Sequence, residues 1–84
     1  MGKRQVSYAP PTKRSVTIAG HETSVSLEPM FWHLLEQAAS ARQVTLSGLI
    51  AQIDAARLRW RPTPNLTSAL RQWLLREALG GCED

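Results

Sequence analysis

The stretch that decides the fold is Glu22-Thr23-Ser24-Val25-Ser26-Leu27-Glu28-Pro29-Met30-Phe31-Trp32. In its first six residues, two kinds of side chain alternate along the chain. Thr23, Val25 and Leu27 fall on one face of an extended segment, and three polar residues fall on the other. Glu28-Pro29 ends the alternation, and apolar residues then recur at helical spacing. Residues 22–54 therefore predict one short strand followed directly by two helices.

A single strand of this kind cannot stand alone, because its backbone groups and its apolar face both need partners. No other segment obviously covers both of its edges, so we expect a second copy of the chain to do so. Polar and apolar side chains alternate in residues 15–19 as well. Gly20-His21 follows them and predicts a type II′ hairpin turn. That turn would pair Ala19 with Glu22 and Val16 with Val25. The sequence leaves open whether residues 15–19 pair in the sheet or stay mobile.

Three helices are predicted downstream of the strand. The first covers residues 29 to about 42, since Pro29 suits the first helical turn, and its core stripe is Phe31, Leu34, Leu35, Ala38 and Ala39, with Trp32 beside it. The second covers residues 46 to about 58, with Thr45 as N-cap and a core stripe of Leu46, Leu49, Ile50 and Ile53. The third ends at Ala78, with Asn65 or Thr67 as its cap and Leu66, Leu70, Trp73, Leu74 and Ala78 on one side.

Composition narrows the functional class. The chain has 84 residues, a net charge of +3 and a pI near 9.8, which favours a polyanionic partner. Cys82 is the lone cysteine, which excludes an internal disulfide and fits a reducing, cytoplasmic location. The start of the chain does not resemble a signal peptide, and no apolar run is long enough for a membrane span. His21 and His33 lack metal-ligand spacing, and no nucleotide or nucleophile motif is present, so we expect no enzyme, no metal and no cofactor.

A family resemblance rests on particular runs. Lys13-Arg14-Ser15-Val16-Thr17-Ile18-Ala19-Gly20-His21 precedes the strand, Phe31-Trp32 opens the first helix, and Ile53-Asp54 lies near the end of the second. In these features residues 13–79 resemble a bacterial subfamily of ribbon-helix-helix proteins of the MetJ/Arc type. The resemblance implies a mainly α fold with a short β-ribbon and an additional C-terminal helix. It also implies an intertwined homodimer with an intermolecular antiparallel sheet that enters the DNA major groove.

Composition divides the chain, and composition and the resemblance together assign the site. Residues 1–12 would form a flexible basic arm, residues 13–58 the ribbon-helix-helix domain with a possible N-terminal hairpin strand, and residues 59–84 a linker and C-terminal helix. Base-facing strand positions would be Glu22, Ser24 and Ser26. Phosphate would be bound near the second helix's start and by basic residues, at Thr45, Leu46, Ser47, Gly48, Lys3, Arg4, Lys13 and Arg14. The dimer core would be Val25, Leu27, Phe31, Trp32, Leu35, Leu49, Ile50, Ile53 and Trp73.

These residues are compatible with two functions. The first is a dimeric DNA-binding protein, a small transcriptional regulator, although ribbons that read DNA favour Arg, Lys, Asn or Gln over two serines and a glutamate. The second is a protein-interaction module that uses the same dimer scaffold without DNA, with a partner protein on the C-terminal helix and no membrane partner. Trp60, flanked by Arg57, Arg59 and Arg61, is either part of a nucleic-acid surface or a tether that holds the linker on the core.

Overall fold

The computed structural model describes residues 8–80, which form two strands and three helices. In chain order these are β1 (Thr12–Ile18), β2 (His21–Leu27), α1 (Pro29–Ala41), α2 (Leu46–Arg57) and α3 (Leu66–Ala78). The predicted order of elements is confirmed, and β1 starts three residues before the predicted Ser15. None of the helices in this part of the chain is long and apolar enough to span a membrane.

The two strands form an antiparallel hairpin, but its turn differs from the predicted one. Ile18 pairs with His21 and Val16 with Thr23, so the turn residues are Ala19 and Gly20 rather than Gly20 and His21. Both turn residues have positive φ, 51° and 84°, as in a type I′ turn. This turn matches the twist of the strands, and glycine takes such a φ without strain. The register moves by two residues, which preserves both faces of the ribbon.

All five elements contribute to one core. Its buried apolar residues are Val16, Ile18, Val25, Leu27, Trp32, Leu35, Ala39, Leu49, Ile50, Ile53, Leu70 and Leu74. Most of the predicted stripes are confirmed, but Leu34 is 41% exposed and Ala78 is exposed as well. Leu34 is exposed because α1 is rotated so that Trp32 points into the core. No side-chain N or O atom in the described part of the chain is buried without a hydrogen-bond partner.

The helices are joined through short, well-capped connections. Gln43, at a φ of 58°, ends α1, and the N–H groups of Gln43 and Val44 donate to the Ser40 and Ala39 carbonyls. Thr45 caps α2, as predicted, and Asn65 caps α3 by accepting a 2.7 Å hydrogen bond from the Ser68 N–H. The third helix packs against α2, α1 and β2.

A single chain already buries most of the predicted dimer core. Seven of the nine residues are buried within the chain, and Phe31 and Trp73 are half-buried. The hairpin also pairs one edge of β2, and the helices cover its apolar face. Within the described residues, only the outer edge of β2 is therefore left for a second chain to pair with. Assembly into a dimer stays a prediction that rests on the family.

Candidate nucleic-acid interface

The outward face of the ribbon is a band of short polar side chains. It consists of Lys13, Ser15 and Thr17 on β1 and Glu22, Ser24 and Ser26 on β2, all of them exposed. Lys13 is paired across the ribbon with Ser26, Ser15 with Ser24, and Thr17 with Glu22. The three predicted base-facing residues therefore share one accessible face with three residues of β1. Hydroxyl groups both donate and accept hydrogen bonds, so this face suits many polar surfaces and selects among them weakly.

The start of α2 has a different geometry from the ribbon. The Thr45 hydroxyl accepts a 2.9 Å hydrogen bond from the Gly48 N–H, which commits one of the predicted phosphate-binding amides to the cap. A Cβ at Gly48 would lie 3.0 Å from that hydroxyl, so glycine allows the close approach that the cap needs. The first helical hydrogen bond runs from the Leu49 N–H to the Thr45 carbonyl. The N–H groups of Leu46 and Ser47 precede it and have no acceptor within the helix.

Four arginines are already engaged by carboxylates. Arg14 contacts Glu36 at 2.9 Å, Arg42 contacts Glu77 at 2.8 Å, Arg57 contacts Asp54 at 2.7 Å and Arg71 contacts Glu28 at 2.9 Å. Three of these guanidinium groups also lie over aromatic rings: Arg14 over Trp32, Arg42 over Trp73 and Arg71 over Phe31, at 4.6 to 5.5 Å from the ring centroids. These arginines tie elements together, which is a structural role.

Arg14, one of the predicted phosphate contacts, is among these paired arginines. It lies on the inward side of β1, where its guanidinium covers Trp32 and its Nη1 donates to Glu36. Lys13 lies on the outward side, and no carboxylate among residues 8–80 pairs with it. Lys3 and Arg4 lie outside the described residues. The phosphate contacts of all four remain predictions, with Lys13 the best placed of those described.

Arg71 also changes the acidity of the residue it pairs with. The hydrogen bond from Arg71 Nη2 to Glu28, together with a backbone hydrogen bond and the arginine's charge, holds the pKa of the Glu28 carboxyl below its ordinary value of 4.5. Glu28 lies between β2 and α1, and Arg71 lies on α3, 43 residues away. The pair therefore connects the ribbon–helix junction to the third helix.

Substitution of Arg71 by glutamine is expected to raise the pKa of Glu28 toward 4.5, because its strongest hydrogen-bond donor is lost. Since the pKa is lowered by folding, the pair stabilises the fold above pH 4.5, and this contribution disappears as the pH falls through the lowered pKa. NMR titration of the Glu28 carboxyl carbon measures the shift. Arg76→Gln, which makes the same change in charge on α3, should leave the Glu28 pKa unchanged; equal shifts in both variants would contradict the pairing.

A further concave surface went unrecognised in the sequence. Residues 58–65 fold back between the end of α2 and α3, and Trp60 lines a groove there together with Trp73. Trp60 is 66% exposed, so its ring is not buried as a tether. The available signal was the run Arg59-Trp60-Arg61-Pro62, whose flanking charges keep a large ring at the surface. Among residues 8–80, no three His, Cys, Asp or Glu side chains converge as metal ligands would.

Similarity to known proteins identifies the family. The family described as Ribbon-helix-helix domain matches residues 11–78. The chain is also similar to the solved structure of an uncharacterized protein from Bordetella pertussis Tohama I, with a TM-score of 0.71 and 33% identity over 82% of this chain and 56% of that one. It thus spans little more than half of that protein's length, and no curated protein matches it. Because the family match covers both strands and all three helices, the chain belongs to the ribbon-helix-helix domain family.

Proposed function

We propose that the chain is a dimeric DNA-binding protein that acts as a small transcriptional regulator. The observation that carries this proposal is family membership, since ribbon-helix-helix domains are generally DNA-binding regulators. The exposed outward face of the ribbon and the helix start at Leu46 and Ser47 support it. A helix N-terminus with unpaired amides favours phosphate oxygens, and a β-ribbon suits the major groove.

The width of the sheet determines how such a protein would bind. In a dimer joined through the outer edges of β2, the two hairpins would make four strands about 15 Å across, against a major groove about 12 Å wide. Such a sheet cannot enter deeply while β1 stays paired along β2. We therefore propose a shallow contact in which phosphates supply most of the affinity. Lys13, the arm residues Lys3 and Arg4, and the α2 amides would provide it, and base selection would be weak.

Salt dependence tests the phosphate contacts. Binding of a random-sequence 30-base-pair duplex, followed by fluorescence anisotropy between 50 and 200 mM NaCl, should weaken linearly on a log–log scale. Lys13→Gln should reduce the slope by about 1 for each chain that contacts DNA, with little change in sequence preference. If the full chain binds no duplex at 50 mM NaCl, the DNA-binding proposal fails.

Substitution of Glu22 by arginine tests the ribbon itself. The change removes a charge that repels phosphate and adds a donor able to make two hydrogen bonds to guanine, so duplex affinity should rise by about tenfold. The double variant Gln37→Lys/Gln52→Lys adds the same two positive charges at exposed positions of α1 and α2 and should strengthen binding less than threefold. Equal gains from the two variants would mean that net charge alone matters and that the ribbon does not face DNA.

A protein-interaction module on the same scaffold is the second candidate. The favouring observation is the weak charge of the ribbon face, where one lysine and one glutamate cancel. If the chain binds no duplex at low salt but sediments as a stable dimer, the protein-interaction module is favoured.

A further inference from the structure

The groove beside Trp60 is a concave surface on the described part of the chain. It has a volume of about 380 Å³ and lies between the end of α2, residues 58–65 and α3. Its lining is mostly apolar, with Pro62 and Pro64 from the linker and Trp60 and Trp73 as the two large rings. Arg76 is part of the lining from α3. A concave apolar surface with a few polar groups at its edge is the usual form of a binding site.

Hydrogen bonds hold the walls of this groove in place. Arg57 donates from Nε to Asp54 at 2.7 Å and from Nη1 to the Pro64 carbonyl at 2.9 Å, which fixes the linker to α2. Arg61 donates from Nη1 to the Leu58 and Trp60 carbonyls, both at 2.9 Å. Because the walls are already ordered, a ligand would lose little affinity to ordering them.

The distribution of charge indicates what the groove attracts. Residues 8–80 contain eight Lys and Arg and five Asp and Glu, a surplus of three positive charges. Arg57 and Arg76 line the groove, Arg59 and Arg61 belong to the adjoining segment 58–65, and Asp54, paired with Arg57, is the one acid of this set, which alone accounts for the surplus. The remaining four cations and four acids of the described chain balance. Positive potential is therefore concentrated at the groove and not at the ribbon.

We infer that this groove binds an acidic segment of another protein, with an apolar side chain against Trp60 and Trp73 and carboxylates facing Arg76, which lines the groove. The apolar, proline-lined concavity suits an aliphatic or aromatic side chain, whereas a phosphate backbone would need a row of cations along it. Residues 1–7 and 81–84 lack this combination. Residues 1–7 carry Lys3 and Arg4, of the wrong sign, and residues 81–84 have two acids but no large apolar side chain.

This site is independent of DNA binding. The groove lies at the end of α2 opposite to Leu46, about 17 Å away along the helix. Duplex binding and peptide binding therefore can be lost separately, and failure of one proposal is distinguishable from failure of the other.

A synthetic nonapeptide with leucine at the centre and four glutamates on each side tests the inference. Added to the full-length chain at 50 mM NaCl, it should shift the indole N–H signals of Trp60 and Trp73 in ¹H–¹⁵N NMR spectra. Two control peptides, one with lysines for glutamates and one with glycine for leucine, should bind at least tenfold more weakly. Trp60→Ser should weaken binding tenfold or more, because the ring is a central apolar contact.

Variants with matched charge separate the groove from the general field of the protein. Arg76→Gln should weaken the acidic peptide about three- to fivefold, while Gln37→Glu, an equal change in net charge on exposed α1, should change it less than twofold. Arg76→Glu should bind the lysine peptide more tightly than the wild type does. The inference is overturned if the glutamate peptide shifts neither indole signal, or if Arg76→Gln and Gln37→Glu act alike. It is also overturned if oligo(dT)₁₂ shifts both signals and the peptide does not, since the groove would then be a nucleic-acid surface.

Discussion

Trp32→Ala is expected to lower the free energy of unfolding by about 3–5 kcal/mol, the usual cost of removing a large aromatic ring from a core. Trp32 is 1% exposed, and its Nε1 donates a 2.9 Å hydrogen bond to the Thr12 carbonyl. The ring thereby joins α1 to the first residue of β1, and Arg14 lies over it. A chain of this size has a total stability of about 4–12 kcal/mol, so the change should remove about a quarter of it or more.

Urea unfolding followed by far-ultraviolet circular dichroism measures this effect, at one fixed protein concentration in case subunits dissociate. Trp60→Ala is the matched control, because Trp60 is 66% exposed and its removal should cost less than about 0.5 kcal/mol. Trp32→Phe keeps most of the volume and removes the donor, so it should fall between the two. A loss below about 1 kcal/mol for Trp32→Ala would contradict its place in the core.

Leu70→Ala is expected to have the second largest effect, a loss of about 2–5 kcal/mol. Leu70 is on α3 and is 0% exposed, within the same core as the ribbon and the first two helices. The effect of this change shows whether α3 is part of the core. A helix that serves mainly as an arm for a partner protein would tolerate the change, whereas a helix that completes the core would not.

The control lies five residues away on the same helix. Leu75 is 60% exposed, so Leu75→Ala makes the same chemical change without opening a cavity, and it should alter stability by less than about 0.5 kcal/mol. The same urea titration serves both variants. Similar losses from Leu70→Ala and Leu75→Ala would contradict the burial of Leu70 in the core, since alanine favours the helix at both positions.

Local sequence signals account for much of the fold. The alternation around Val25, the proline at the start of α1 and the caps at Thr45 and Asn65 all act over a few residues, so their elements follow from the sequence. The hairpin register does not, because registers that differ by two residues bury the same face. Which turn wins depends on backbone twist at Ala19 and Gly20, which periodicity does not report.

The candidate sites follow from the sequence less completely. The outward ribbon positions are fixed by alternation alone, so Glu22, Ser24 and Ser26 could be placed on one face in advance. Whether an arginine is available to a ligand depends on distant carboxylates, such as Glu36 beside Arg14 and Glu28 beside Arg71, which are 22 and 43 residues away. The groove at Trp60 requires α3 to pack against α2, and no local pattern indicates that packing.

The position of α3 has a consequence for the nascent chain. Its core residues Leu70 and Leu74 leave the ribosome after the core residues of the other four elements, roughly 50 residues after the ribbon is made. At a synthesis rate of about 5–20 residues per second, the inner face of the hairpin waits about 3–10 s before its final cover arrives. During that interval the part of β2 that packs against α3 stays open to other nascent chains, as does the outer edge of β2.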